Sequence, residues 1–402
     1  MKKRYVIIGL LASSLMASAQ QSAVYKKKKL VRTDVEAMFS YYTQDNNHSA
    51  VTGGIGTEDL QVYVQQLSMD VNKDSVNTYH IDAGVDVISS ASTDNIDYIM
   101  SSASRVDARS HMNLGFNRFV KSRQMNVGIN TGMSIESDYL SFGAGLNWSY
   151  SDRRRQRDYS FSFQGFFDDL RWGRLENGHP QKLVYPVELR YKKWFNNYRR
   201  NSFNVDLGIY QVINRRMAIG IYPGITYQKG LLSTPFHRVY FTDDTERVEN
   251  LPGERLKVPV GVQLNSFAGT RWIIRSSYRF YWDNFGINAH TINVEAPVKI
   301  NTMLTLTPFV RLYTQTGADY FRPYKQLDSS SEYYTSDYDL SRFHSYKTGL
   351  GVRYAPFARG GATTFQEVEV RYAFYDRSDG LKAHMITAFI HFSVTREKNR
   401  TR

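Results

Sequence analysis

The chain has 402 residues, a formal charge of +13, no cysteine, 14% aromatic residues including 29 Tyr and 23 Phe, and a mean hydropathy of −0.47. Without cysteine there is no disulfide framework, thiol nucleophile, thiolate metal site or lipid-bearing cysteine. A polar mean with so many aromatics is unusual for a soluble enzyme and natural for a barrel that is apolar outside, polar inside and girdled by Tyr, Trp and Phe.

Residues 1–19 read as a secretory signal peptide. Lys2, Lys3 and Arg4 form its basic start, an apolar stretch runs from Tyr5 to Met16, and Ala17-Ser18-Ala19 supplies small residues for cleavage. Its removal lowers the formal charge by three, to +10. Nothing after it is a run of about 20 apolar residues, so no transmembrane helix is expected.

Residues 20–58 read as an N-terminal periplasmic segment or lumen plug. Lys26–Lys29 is a charge run, and Val51–Thr57 is glycine-rich without the GK[ST] end of a phosphate loop. Residues 59–396 read as the barrel and 397–402 as a basic tail.

Between Ser89 and Arg109 lies a serine-rich polar stretch containing Asp94, Asp97 and Asp107. Oxygen ligands this close together suit a hard cation such as Ca²⁺, although no EF-hand spacing is present. The plainer reading is a turn region whose Asp and Ser side chains bond their own backbone. Counting strands places it at the periplasmic mouth.

Period-two alternation dominates the rest. Met125, Val127, Ile129, Thr131, Met133 and Ile135 alternate with Asn, Gly and Ser; so do Leu140, Phe142, Ala144, Leu146 and Trp148. Tyr159–Gln164, Leu256–Asn265, Leu304–Tyr313 and Ile386–Val394 repeat the pattern. Leu60–Val71 and Lys182–Trp194 alternate more weakly. Short turns are expected at Glu136–Asp138, Asn214–Arg216, Phe267–Thr270 and Lys299–Thr302, all on the periplasmic side. Long loops at about Lys229–Arg255 and Thr314–Ser345 and the hairpin Asp376–Leu381 fall on the outer side. The fold class is therefore all-β, an antiparallel transmembrane β-barrel of about 16 strands, with about 14 the next choice.

Phase along the strands assigns the lumen. If Trp272, Ile274, Tyr278 and Phe280 face lipid, then Arg271, Arg275 and Arg279 face inward. The same phase turns Glu295, Arg311, Glu367, Glu369, Arg371 and His391 inward. Arg and Glu on adjacent strands make either an ionic lattice that stiffens the lumen or an arginine-lined eyelet that selects anions. Charges interleaved with aromatics along strands, rather than massed on one helix, argue against nucleic acid. Outer-membrane lipid, lipopolysaccharide and a periplasmic or surface protein are the partners expected.

Several segments resemble an uncharacterised outer-membrane β-barrel family, a domain of unknown function found in Bacteroidota and Proteobacteria. They are Thr33-Asp34-Val35-Glu36, Val51–Glu58, Ser89–Asp94, Ser104–Arg109, Tyr278–Gly286, Arg311–Thr316 and Ala318–Phe321. The resemblance implies an outer-membrane location and supplies no catalytic residues or cofactor. The scattered histidines form no HExxH pair and no GxSxG elbow appears. Three functions follow: a channel or transporter for small polar or anionic solutes, a plugged barrel anchoring a complex, or an outer-membrane lipid-modifying enzyme.

Overall fold

The computed structural model describes residues 30–45, 47–90, 107–136, 139–170, 198–234, 237–357 and 361–397. The signal peptide, Lys26–Lys29, Asp94, Asp97, Lys182–Trp194 and residues 398–402 of the basic tail lie outside them.

Nine strands open the chain: β1 (Leu30–Asp45), β2 (Leu60–Asn72), β3 (Asn77–Ser90), β4 (Asp107–Val120), β5 (Met125–Ile135), β6 (Leu140–Asp152), β7 (Arg157–Asp169), β8 (Arg199–Asn214) and β9 (Met217–Gly230). A loop hairpin follows, β10 (Arg238–Tyr240) and β11 (Glu246–Val248). Then come β12 (Glu254–Ala268), β13 (Trp272–Asp283), β14 (Asn288–Glu295), β15 (Val298–Lys299), β16 (Leu304–Gln315), β17 (Phe343–Tyr354), β18 (Thr363–Arg377) and β19 (Lys382–Glu397). Each pairs antiparallel with its neighbour, and β1 pairs with both β2 and β19, so the sheet closes on itself. β14 and β15 are one strand interrupted at Ala296-Pro297, where proline cannot donate to the ladder, giving a closed barrel of sixteen strands.

Closure satisfies the backbone without an open edge, which is the condition for a sheet to cross lipid. The outward face is correspondingly apolar. Ile129, Met133, Phe142, Leu146 and Ile225 are each more than half exposed, which water would not tolerate over so wide a surface. Outward aromatics gather near both rims. Trp148, Tyr150 and Tyr159 stack near one end; Tyr41 and Tyr63 meet at 4.9 Å near the other. Inward positions carry small or polar side chains. At Gly128 a Cβ would fall within 2.0 Å of the amide oxygens of Asn117 and Asn147, which instead reach each other across β5 at 2.9 Å.

The first residues of β1 pair with the last of β19, so both ends of the barrel chain lie on one rim. Turns 73–76, 121–124, 153–156, 215–216, 269–271 and 300–303 share that rim, which is the periplasmic one. The opposite strand ends, from Asp45 and Leu60 round to Arg377 and Lys382, form the outer rim, which carries the described connections 47–59, 231–234, 237–253, 284–287, 316–342 and 378–381.

Three sequence expectations change. Residues 30–45 of the supposed plug are a barrel strand: Arg32, Asp34 and Glu36 face the lumen while Val31, Val35 and Phe39 face lipid, and the strand is indispensable because it closes the ring. β5 ends at Ile135 and β6 begins at Leu140 on the outer rim, so the chain turns there and not on the periplasmic side. β3 ends at Ser90 and β4 begins at Asp107 on that same rim, not at the periplasmic mouth; Asp94 and Asp97 lie outside the described residues. The reason is that β7 pairs directly with β8, so the sheet steps from Asp169 to Arg199 without a further strand between them.

Candidate functional site

The lumen has two unlike walls. One is built from β13 to β18. Alternation turns Arg275, Arg279, Arg311, Lys347 and Arg371 inward, where they line two adjoining recesses of about 470 and 720 Å³. Glu295 on β14 lies within reach of Arg275 at 3.8 Å and Arg371 at 3.3 Å, and Glu369 pairs with Arg371. The guanidinium of Arg371 also sits 5.9 Å from the centre of the Phe309 ring. Gly349 and Gly351 leave the space these groups occupy, since a Cβ at either would press on Phe309 or on Arg371 and Glu369. Arg353 and Glu367 form a separate pair. Among the described residues Arg279, Arg311 and Lys347 carry no ion pair. Arg311 and Lys347 are direct register partners on β16 and β17, two like charges side by side.

A second wall, β1 to β4, about a third of the way round the ring from the first, is acidic. Buried Asp82 accepts from Gln66, Ser68 and Asn113 at 2.5, 2.6 and 3.3 Å, with His111 at 3.6 Å. Asp70 binds His80 at 2.7 Å, Asp86 lies 3.9 Å from Arg109, and Asp34 lies 3.7 Å from His391. Between the walls, β5 to β9 present mostly Asn, Ser, Tyr and Gly. The lumen is therefore polarised across its width.

Above it the outer loops meet. The loop 231–253 leaves the barrel half-way round from the loop 46–59, yet the two touch. A Cβ on Gly53 would lie 2.5 Å from the Tyr240 ring, and one on Gly54 would lie 2.9 Å from Tyr338 in the loop 316–342. Both glycines have positive φ, 73° and 89°, a backbone that also favours glycine. Sixteen strands spaced about 4.8 Å apart and tilted give a barrel about 30 Å across, so these loops span its mouth. Val239, Phe241, Leu327 and Tyr334 form their core. Buried ion pairs rivet them to the rim. Asp283, fully buried, accepts from Arg255, from Tyr281 at 2.7 Å and from the backbone of Phe285 and Ile287. Arg377 binds Asp339 and Asp379.

Inside this cap His237 faces Glu249 at 3.7 Å and Asp337 at 3.9 Å. Burial favours a neutral imidazole, but Glu249, then Asp337 and Glu58, outweigh it and push the His237 pKa up to about 9. Burial raises the carboxyls of Asp337 and Glu58, with His237 partly offsetting it in each.

A model of one family, described as a protein of unknown function (DUF3570), matches residues 7–385. The chain belongs to that family. No curated protein matches it in sequence. Solved structures similar to the DUF3570 barrel include the outer-membrane protein OpdK of Pseudomonas aeruginosa, at 9% identity and a TM-score of 0.41, covering 90% of this chain and 99% of that one. OccAB4 of Acinetobacter baumannii is 8% identical with a TM-score of 0.40, covering 92% and 99%. A bacterial polysaccharide outer-membrane secretin is 9% identical with a TM-score of 0.44, covering 91% and 98%. Likenesses this distant say nothing about what passes through or binds to the DUF3570 barrel. Its place in the cell outer membrane rests on the closed sheet and its apolar belt.

Of the residues expected in the lumen of this DUF3570 barrel, Arg275, Arg279, Glu295, Arg311, Glu369 and Arg371 lie there on adjacent strands. Arg271 does not. It sits exposed on the periplasmic turn 269–271, because β13 begins one residue later and the alternation does not reach it. Asp107 opens β4 with its backbone opposite Ile88. Lys347 and the His237 cluster were not anticipated. Lys347 follows the same alternation within Phe343–Tyr354 and was legible. The cluster joins residues of irregular loops 12 and 88 positions apart and carries no motif.

Proposed function

We propose that the barrel is a diffusion channel for small anionic solutes, with the β13–β18 wall as its selective surface. The observation that carries this reading is the Arg311–Lys347 pair. Like charges directly opposite on neighbouring strands cost roughly 0.2–1 kcal/mol, and among the described residues neither forms an ion pair, the nearby Glu295 being shared between Arg275 and Arg371. An ionic lattice built for rigidity would pair them; a wall that attracts anions leaves them free. Arg279 extends the column toward the outer rim. The acidic wall beyond β19 then orients a dipolar solute within the lumen. The test is conductance of the refolded protein in a planar bilayer under a KCl gradient. A reversal potential favouring chloride is expected, and cation preference would refute the reading.

A second reading is favoured by the loops that cross the mouth: the barrel rests closed, with the loops 231–253 and 316–342 held across it by their contacts with Gly53 and Gly54. Deleting residues 48–56 would then raise conductance while leaving ion preference unchanged. If the deletion variant and the parent conduct equally, the loops do not close the path.

A further inference from the structure

Lumen selectivity leaves the buried cluster in the cap without a role. His237 Nδ1 is inaccessible and has no hydrogen-bond partner. Its nearest oxygens, one each from Glu249 and Asp337, stand at 3.7 and 3.9 Å, outside hydrogen-bond range. One donor atom from each of the three residues lies within 4.8 Å of the others. Tetrahedral bonds of about 2.0–2.2 Å set ligand atoms roughly 3.3–3.6 Å apart, so the two His237 contacts need to shorten by about half an ångström or less and the carboxylate pair by at most about 1.5 Å around an ion.

Both carboxylates are oriented from behind, as ligands are. Asp337 Oδ1 accepts from the Asp339 backbone at 2.9 Å, which leaves Oδ2 toward His237. Glu249 Oε2 accepts from the Thr234 backbone at 2.6 Å and Oε1 from the fully buried Thr335 hydroxyl. Asp337 N in turn donates to the same Thr335 hydroxyl at 3.0 Å. One threonine thus sets both acids.

We propose that His237, Glu249 and Asp337 form a divalent transition-metal site that ties the two long outer loops together. One nitrogen and two carboxylate oxygens suit Zn²⁺ and its first-row neighbours; the imidazole disfavours Ca²⁺ or Mg²⁺. Two ligands come from the loop 231–253 and the third from the loop 316–342, so the ion cross-links segments that start on different strands. The site does not depend on the channel reading.

The test is calorimetric titration of untagged, refolded full-length protein in detergent with Zn²⁺, after chelator treatment. Heat-modifiable migration on gels confirms that each variant is folded. One Zn²⁺ per chain is expected, with affinity lowered about a hundredfold or more in His237→Asn and in Asp337→Asn. Asparagine at 337 keeps an oxygen for the Asp339 amide, so this second variant preserves the loop. Zn²⁺ should also slow proteolysis within 231–253 and 316–342. Absence of Zn²⁺ binding to the parent protein would overturn the proposal and leave an imidazolium held between two acids. So would unchanged binding in both variants, or displacement of Zn²⁺ by an equal concentration of Ca²⁺.

Discussion

Replacing Arg311 with Gln removes one positive charge from the middle of the basic wall, breaking no ion pair and only a 5.9 Å contact with the Tyr313 ring. An anion passing about 6 Å from a guanidinium gains roughly 0.7 kcal/mol at the dielectric of water and about 2.8 kcal/mol at an effective value near 20. A wet lumen lies between these limits, and a Debye length of about 10 Å at 0.1 M salt halves both figures. The loss is then about 0.4–1.4 kcal/mol, or a two- to tenfold fall in the chloride-to-potassium permeability ratio at about 0.1 M salt. At about 1 M salt the Debye length is near 3 Å and most of the effect should vanish. The substitution also relieves the repulsion with Lys347, so Arg311→Gln should unfold at an equal or slightly higher denaturant concentration than the parent. Reversal potentials at the two salt concentrations, with a urea titration of the same samples, measure both effects. A variant that keeps its selectivity, or loses it equally at both salt concentrations, refutes the electrostatic argument.

Asp283→Ala would strand the Arg255 guanidinium and two backbone donors in the buried outer rim, costing about 3–5 kcal/mol locally; rapid proteolysis within 284–287 and 231–253 in an intact barrel is the expected readout. Asp82→Ala leaves Gln66, Ser68 and Asn113 without their acceptor, and a loss of about 1–3 kcal/mol should appear as an earlier urea midpoint. Burial holds His48, whose ring is tilted against Tyr338 with centres 4.0 Å apart, below the ordinary imidazole pKa of 6.5. A depressed histidine stabilises the fold above its unfolded value, so that contribution is lost as pH falls below 6.5. The segment 47–59 should become more protease-sensitive on acidification, and His48→Phe should flatten that response.

The barrel was legible because its alternation has a physical cause on every strand: lipid on one side, water on the other. Legibility failed where that contrast is weak. β1 presents Thr33 and Ala37 to lipid beside Val35, and it follows a lysine run, so its outward stripe looks like a polar tail. The alternation in Lys182–Trp194 suggests a strand between β7 and β8, but those two pair directly, and one strand more or less in the ring inverts the sidedness of everything before it. The lumen arginines survived that error because their facing depends on local phase and not on the count. Lys347 obeyed the same phase but sits among Ser, Tyr and Gly, where no carboxylate neighbour drew notice. The His237 cluster had no local signal at all, since Glu249 and Asp337 reach it through loop geometry alone.

The contact between Gly53 and Tyr240 also orders events in time. Eight strands separate the two loops around the ring in either direction, and on a flat or half-curled sheet they stand far apart. The cap cannot assemble until β1 has found β19, the pairing that joins the first strand made to the last. An inserting barrel of this kind passes through a stage with an uncovered lumen. Burial of Tyr240 against the segment around Gly53 would therefore report the moment of closure.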